Sequence, residues 1–186
     1  MISGDGWSLR RPRAHDISFA RAALMTNGRT MEDLGSIDLA HILVGVDGSA
    51  GSVDALKWAA KLAPALEAVV VAVNVWHFEN TWGAYASPSW NPETDAQQVL
   101  EDALAEAFGD KRPEGLLAQC PQGMAASALI ERSASARMLV VGSRGHGGFV
   151  GLLLGSVSSA CAEHARCPVL VVHSASHPPM EESNAT

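Results

Sequence analysis

Five short apolar runs alternate with longer stretches in which apolar residues recur at helical spacing. The runs cover residues 41–46, 68–75, 116–119, 138–141 and 169–172. Their length, and the β-branched residues in all of them except 116–119, predict strands. Helices are predicted behind Ser49 as far as Pro64, and then over 93–108, 124–134 and 156–165. This β-α-β-α-β-α-β-α-β order is typical of an α/β domain with a parallel sheet.

The alternation predicts a Rossmann-like, doubly wound, five-stranded parallel sheet with helices on both faces. We take its strand order to be 3-2-1-4-5, because this is a common order for such sheets. In that order strands 1 and 4 are neighbours at the point where the connections change direction. Ligands bind outside the carboxyl ends of the strands at such a point. Asp47 follows strand 1 and a glycine-rich loop opens at Gly142 after strand 4, so we expect both at one crevice.

The loop after strand 4 has the composition of a phosphate-binding segment. After Gly142 it holds five glycines, and Ser156, Ser158 and Ser159 follow where a helix is expected to start with a serine cap; the glycines are Gly145, Gly147, Gly148, Gly151 and Gly155. Glycines let a backbone approach an anion closely, and the first amides of a helix attract negative charge. The loop lacks the lysine of the phosphate-loop NTPases.

Composition excludes several classes of function. A formal net charge of −7 and a pI of about 5.4 argue against a nucleic-acid-binding surface. The three cysteines form no Cys-x-x-Cys pair, so we expect reduced thiols in a cytoplasmic protein. No apolar run approaches the ~20 residues that a membrane span needs.

The ends of the chain differ from its middle. We expect a disordered extension over residues 1–37, a domain over 38–174 and a loose tail over 175–186; the extension holds five of the 13 basic residues: Arg10, Arg11, Arg13, Arg21 and Arg29. The connection 76–92 either lies over the domain on its aromatic residues or forms a lid near a ligand.

Several motifs together resemble the universal stress protein family. They are the spacing Gly-x2-Gly-x9-Gly-Ser of Gly142, Gly145, Gly155 and Ser156, and the segments 42–49, 55–60 and 164–172. The resemblance covers about residues 39–173. One departure is Arg137, because the family often has an aspartate before strand 4. Since the glycine spacing is whole, the resemblance implies the kind of family member that binds ATP, with or without Mg²⁺.

The resemblance also implies a set of nucleotide-binding residues. Asp47 would meet the adenosine end and could bind the metal of Mg-ATP, and Val75 would lie against the adenine. The glycines would wrap the ribose and phosphates, and Ser156 with the next two amides would hold phosphate oxygens. The implied set is Gly45, Val46, Asp47, Val75, Gly142, Ser143, Arg144, Gly145, Gly155, Ser156, Val157 and Ser158.

Some roles stay open at this point. Asp47 could serve only as a helix cap, and Arg144 and His146 could either touch phosphates or be solvated loop residues. No catalytic residue is assigned, because no base is evident. The sequence favours a nucleotide-responsive regulatory module over a slow ATPase or phosphotransferase, and over a dimeric interaction module without nucleotide. The resemblance implies a homodimer joined through the last strand: Val169, Leu170, Val171 and Val172.

Overall fold

The computed structural model describes residues 40–77, 91–145 and 153–174. Within these residues the chain forms five strands and four helices. The strands are β1 (His41–Gly45), β2 (Val69–Val73), β3 (Leu117–Gln119), β4 (Met138–Gly142) and β5 (Val169–Val172). The helices are α1 (Ala50–Leu62), α2 (Pro92–Phe108), α3 (Ala125–Arg132) and α4 (Ser156–His164).

The five strands form one parallel sheet in the order β3-β2-β1-β4-β5. The predicted fold class and strand order are therefore confirmed. Leu43 of the central strand β1 is in register with Val71 on one side and Leu139 on the other. These residues are buried because helices cover both faces of a sheet of this kind.

Successive residues of β1 belong to two separate parts of the core. Ile42 and Val44 pack in the cluster that contains Leu56 of α1 and Leu104 of α2. Leu43 packs in the second cluster, which holds residues of α3 and α4: Leu129 and Cys161. The alternation of side chains along a strand thus assigns α1 and α2 to one face and α3 and α4 to the other.

Several elements are shorter than predicted, and β2 and α3 differ most. β2 ends at Val73 although its apolar run continues to Val75, and Asn74 and Trp76 then donate backbone hydrogen bonds to the carbonyls of Gln119 and Pro121. α3 begins after Met124 and ends at Arg132. Both differences concern only the ends of elements, where fraying and irregular pairing decide the boundary.

Several expectations lie outside the described residues. They are the extension 1–37, the tail 175–186, the connection over 78–90 and His146 in the glycine loop. In the part of the chain that the structure describes, no helix combines the length and the apolar composition needed to cross a membrane.

Candidate functional site

A cavity of about 730 Å³ opens beyond the carboxyl ends of β1, β2 and β4. Its size lies in the range of pockets that hold small molecules, which is about 300–1,000 Å³. β1 and β4 are neighbours in the sheet, and their connections lead to helices on opposite faces. The cavity therefore lies at the switch point where ligands bind in doubly wound sheets.

Most residues proposed from the sequence line this cavity. Eleven of the twelve do so: Gly45, Val46, Asp47, Val75, Gly142, Arg144, Gly145, Gly155, Ser156, Val157 and Ser158. They come from three strand ends and one helix start, so the fold brings together segments up to about a hundred residues apart.

Ser143 is the exception, because it is buried behind the cavity wall. Its amide donates to the carbonyl of Val172 at 2.7 Å. Its carbonyl accepts from the amide of Gly155 at 2.8 Å and from the Oγ of Ser158 at 2.9 Å. Its backbone groups thus join β4 to β5 and to the start of α4, and its assignment as a nucleotide-binding residue stays a prediction.

Ser49, and not Asp47, is the N-cap of α1. The Oγ of Ser49 accepts a hydrogen bond from the amide of Ser52 at 3.3 Å. Asp47 supports this cap, since its Oδ1 atom accepts from the amide of Ser49 at 3.0 Å and from the Oγ of Ser49 at 2.6 Å. The Oδ1 atom of Asp47 is therefore engaged in the hydrogen bonds to Ser49, whereas the Oδ2 atom faces Gly145.

The second oxygen of Asp47 lies against Gly145. A Cβ built on Gly145 would overlap the Oδ2 atom of Asp47. Among the described residues, the glycines with positive φ are Gly48, Gly109, Gly115 and Gly123. Gly145 has no such backbone angle, so space, and not a left-handed conformation, explains the glycine at this position.

The first turn of α4 forms another wall of the cavity. Its N-cap is Gly155, which provides no side chain to accept from the helix amides. The expected serine cap is therefore wrong. The hydroxyl of Ser158 instead donates to the carbonyls of Ser143 and Gly155, at 2.9 and 3.0 Å. The amides of this turn have no partner within the helix and keep the positive end of its dipole.

The end of β2 presents backbone groups to the cavity. The amides of Asn74 and Trp76 donate to Gln119 and Pro121 on the β3 side. Backbone groups of successive residues in a strand point to opposite edges. The N–H and C=O of Val75 are therefore directed towards the β1 side, where β1 has already ended.

Further lining residues were not proposed from the sequence. They are Ser52, Val73, Asn74, Ala125, Leu129, Val141, Leu154 and Ser159. Ala125 and Leu129 lie one turn apart in α3 and add apolar surface. The part of α3 that lines the cavity could have been predicted from the order of elements. A helix that follows a parallel strand starts near the carboxyl ends of the strands, which is where the ligand site lies.

The titratable groups of the site are few. Among the described lining residues, Asp47 and Arg144 carry ionisable side chains. The described residues contain no group of three or more His, Cys, Asp or Glu side chains that could hold a metal ion. A metal here would depend on the ligand's own oxygens, as Mg²⁺ does when it is bound by one carboxylate and substrate phosphates.

The cysteines lie outside the cavity lining and are all free. Burial raises the pKa of Cys161 to about 11, with a smaller contribution from Cys167. Burial also raises the pKa of Cys120 and of Cys167. A thiol with a raised pKa is a poor nucleophile at neutral pH.

The family model that describes the universal stress protein family matches residues 39–173. The chain belongs to this family. Universal stress protein Rv2623 of Mycobacterium tuberculosis is 36% identical over 135 residues, which cover 71% of this chain and 44% of the relative. A universal stress protein of Mycolicibacterium smegmatis is 35% identical over 139 residues, with 71% and 47% covered. The chain therefore spans less than half the length of these relatives.

Solved structures of the family have the same fold. A universal stress protein in complex with cAMP is 25% identical, with a TM-score of 0.56 and coverage of 73% of this chain and 97% of the other. Universal stress protein UspA from Lactobacillus plantarum is 21% identical, with a TM-score of 0.54 and coverage of 72% and 97%. The second likeness concerns the fold alone.

Proposed function

We propose that the chain binds an adenine nucleotide, ATP first of all, and acts as a nucleotide-responsive regulatory module in the stress response. One observation carries the proposal: the first turn of α4, which lacks a side-chain cap, lines a cavity at the switch point of the sheet. A helix start of this kind attracts phosphate. The related structure that contains cAMP supports a nucleotide as the ligand class.

The phosphates would lie at the start of α4. Ser156 is exposed, and its hydroxyl and the amides of Val157 and Ser158 are available to phosphate oxygens. Arg144 also lines the cavity, and its guanidinium matches the geometry of a phosphate. Gly142, Gly145 and Gly155 would let the backbone approach the ribose and phosphates, and Ser143 would act from behind the wall.

The adenine would lie at the end of β2. The backbone N–H and C=O of Val75 offer a donor and an acceptor side by side, which suits the edge of a purine. Ala125 and Leu129 supply apolar surface for the face of the ring. The base would thus be recognised by backbone groups and shape.

Asp47 would bind the sugar. A carboxylate next to phosphates is unfavourable without a cation, whereas a ribose hydroxyl can donate to it. Gly45 and Val46 precede it along the same wall. If Mg²⁺ accompanies ATP, Asp47 is the lining carboxylate that could reach it, with the phosphates as the other ligands.

The direct test is the release of nucleotide from the purified protein, followed by mass measurement and by calorimetry with ATP, ADP, AMP and cAMP. We expect ATP to bind and Asp47→Ala to weaken adenosine binding as well as ATP binding. If no nucleotide is released and none binds in calorimetry, the dimeric interaction module without nucleotide becomes the better account.

Slow ATP hydrolysis or phosphotransfer is the alternative activity. Phosphoryl transfer needs charge stabilisation, a positioned metal and an oriented nucleophile. Among the described lining residues, Asp47 is the one carboxylate that could serve in such a reaction. Turnover of saturating Mg-ATP at the rate of buffer supports binding alone, whereas a rate that Asp47→Ala abolishes supports the enzyme.

We further infer a homodimer joined through β5. β5 is an edge strand of the described sheet, and Val169, Leu170 and Val171 are only half-buried. An apolar edge of this kind favours pairing with a second copy. Sedimentation velocity, which measures the oligomeric state, tests this dimer.

The free cysteines support a cytoplasmic location. The division into extension 1–37, domain 38–174 and tail 175–186 is checked by limited proteolysis.

A further inference from the structure

Two glycines face each other where the first turn of α1 meets the carboxyl end of β4. A Cβ on Gly142 would lie 2.8 Å from the carbonyl carbon of Gly51 and 3.1 Å from the amide nitrogen of Ser52. A Cβ on Gly51 would lie 3.3 Å from the carbonyl oxygen of Arg144 and 3.5 Å from the Cα of Gly142. The two backbones are therefore packed together without side chains between them.

Neither the helix nor its backbone angles explain the glycine at position 51. Gly51 is a helical residue of α1 and is not among the residues with positive φ. Alanine adopts the same angles and stabilises a helix relative to glycine. The contact with Arg144 and Gly142 is the feature that an alanine would change.

A side chain at position 51 would move the loop and not the helix. α1 is fixed by its cap and by buried residues, among them Val53 and Leu56. Ser143 is held by Val172 and Ser158. The displacement would therefore fall on Arg144 and Gly145, both of which line the cavity.

We propose that Gly51 is a positioning residue, whose missing side chain sets the place of the segment 142–145 at the nucleotide site. This inference rests on the proposed function. It assigns a role in binding to a glycine outside the cavity lining. A shift of a few tenths of an ångström is significant here, since binding groups must be held within about 0.5 Å of their productive place.

The test separates nucleotide affinity from stability. In Gly51→Ala we expect ATP to bind about tenfold more weakly in calorimetry, while the thermal midpoint does not fall. The matched control is Ala50→Gly, which changes the neighbouring exposed residue of the same turn. It should lower the thermal midpoint and leave the affinity unchanged.

Two results would overturn the proposal. The first is an unchanged ATP affinity in Gly51→Ala. The second is a weaker ATP affinity in Gly51→Ala together with a fall in its thermal midpoint as large as that of Ala50→Gly. Amide hydrogen exchange without nucleotide gives an independent measurement. Gly155 packs against Arg144, since a Cβ on Gly155 would lie 3.6 Å from the Cα of Arg144. A displaced Arg144 would therefore disturb the hydrogen bond that the amide of Gly155 donates to Ser143, and this amide should exchange faster in Gly51→Ala than in the unmodified chain. If the unmodified chain binds no nucleotide, the proposed function fails, and the exchange rate of the Gly155 amide alone tests whether Gly51 positions the segment 142–145. Equal rates in Gly51→Ala and in the unmodified chain would then contradict that role.

Discussion

The Oδ2 atom of Asp47 occupies the place that a Cβ of Gly145 would take. The end of β1 and the loop after β4 therefore meet at a contact between a carboxylate and a bare α-carbon. The same carboxylate is held from its other side by Ser49. A change at position 145 is thus transmitted to Asp47 and from there to the cap of α1.

We expect Gly145→Ala to destabilise the fold by less than the ~1–3 kcal/mol that an added methyl costs in a packed core, because Gly145 and Asp47 are both exposed and the carboxylate can turn away. Asp47→Ala removes the atom in the way, so the double variant should be less destabilised than the sum of the single variants. Urea denaturation of the four proteins measures this coupling.

Asp47→Asn is the matched control for that cycle. The asparagine amide has the shape of the carboxylate, so Gly145→Ala should be as costly in the Asp47→Asn background as in the unmodified chain. Additive free energies in the cycle with Asp47→Ala would contradict the contact between the two residues.

Ser49 combines two tasks that different substitutions can separate. Loss of a serine cap costs about 0.5–2 kcal/mol when alanine replaces it, but only a few tenths when glycine does. Both substitutions remove the hydroxyl that donates to Asp47. We therefore expect Ser49→Gly to be nearly as stable as the unmodified chain and yet to bind nucleotide as weakly as Ser49→Ala.

Ser49→Thr is the control, since threonine both caps a helix and keeps the hydroxyl. Calorimetry measures the nucleotide affinity of the three variants, and urea denaturation measures their free energy of unfolding. Unchanged affinity in Ser49→Gly would mean that the bond to Asp47 has no part in binding.

The fold could be predicted from the sequence because its signals are local and repeated. Four of the five described strands are compact apolar runs, and the alternation with helices leaves few topologies for a parallel sheet. The strand ends then follow from the topology, which is why Asp47 and Gly142 could be placed at one crevice. The motifs of the resemblance added Val75, which no spacing argument selects.

The details of the site depend on contacts that no local pattern encodes. Ser143 is buried because its backbone joins three elements, and α4 lacks a side-chain cap because its N-cap is Gly155. The wall that α3 supplies and the contact between Gly51 and Gly142 require the packed structure. These features arise between residues far apart in the chain, so composition and spacing could not reveal them.

Cys161 should make the stability of the domain depend on pH in alkaline solution. Its side chain is fully buried, and burial raises its pKa from 9.0 to about 11. Above pH 9 the unfolded chain loses this proton while the folded chain keeps it, so the free energy of unfolding falls as pH rises. The contribution is complete below pH 9 and is lost by about pH 11.

The expected loss is on the order of 3 kcal/mol, since the pKa changes by about two units and each unit corresponds to about 1.4 kcal/mol. Denaturation under reducing conditions at several pH values measures it. In Cys161→Ala the other titrating groups remain, so a shallower decline isolates the thiol. Parallel declines in the two proteins would rule out this contribution.

Ser156 allows a test in which stability and affinity change in opposite directions. It is the first residue of α4, it is exposed, and the N-cap before it is a glycine. A negative charge there favours the helix dipole by about 0.3–1 kcal/mol at low ionic strength. The same charge would repel the phosphates that we place at this turn. Ser156→Asp should therefore raise the free energy of unfolding and weaken ATP binding.

The uncharged Ser156→Asn separates charge from the loss of the hydroxyl. If phosphates lie at α4, the difference in affinity between the Asp and Asn variants should be largest for ATP and smallest for adenosine, and it should shrink with added salt. Equal effects on ATP and adenosine would move the phosphates away from this helix. A loss of stability in Ser156→Asp would instead mean that the amides of the first turn already have partners, which would remove the main reason for placing an anion there.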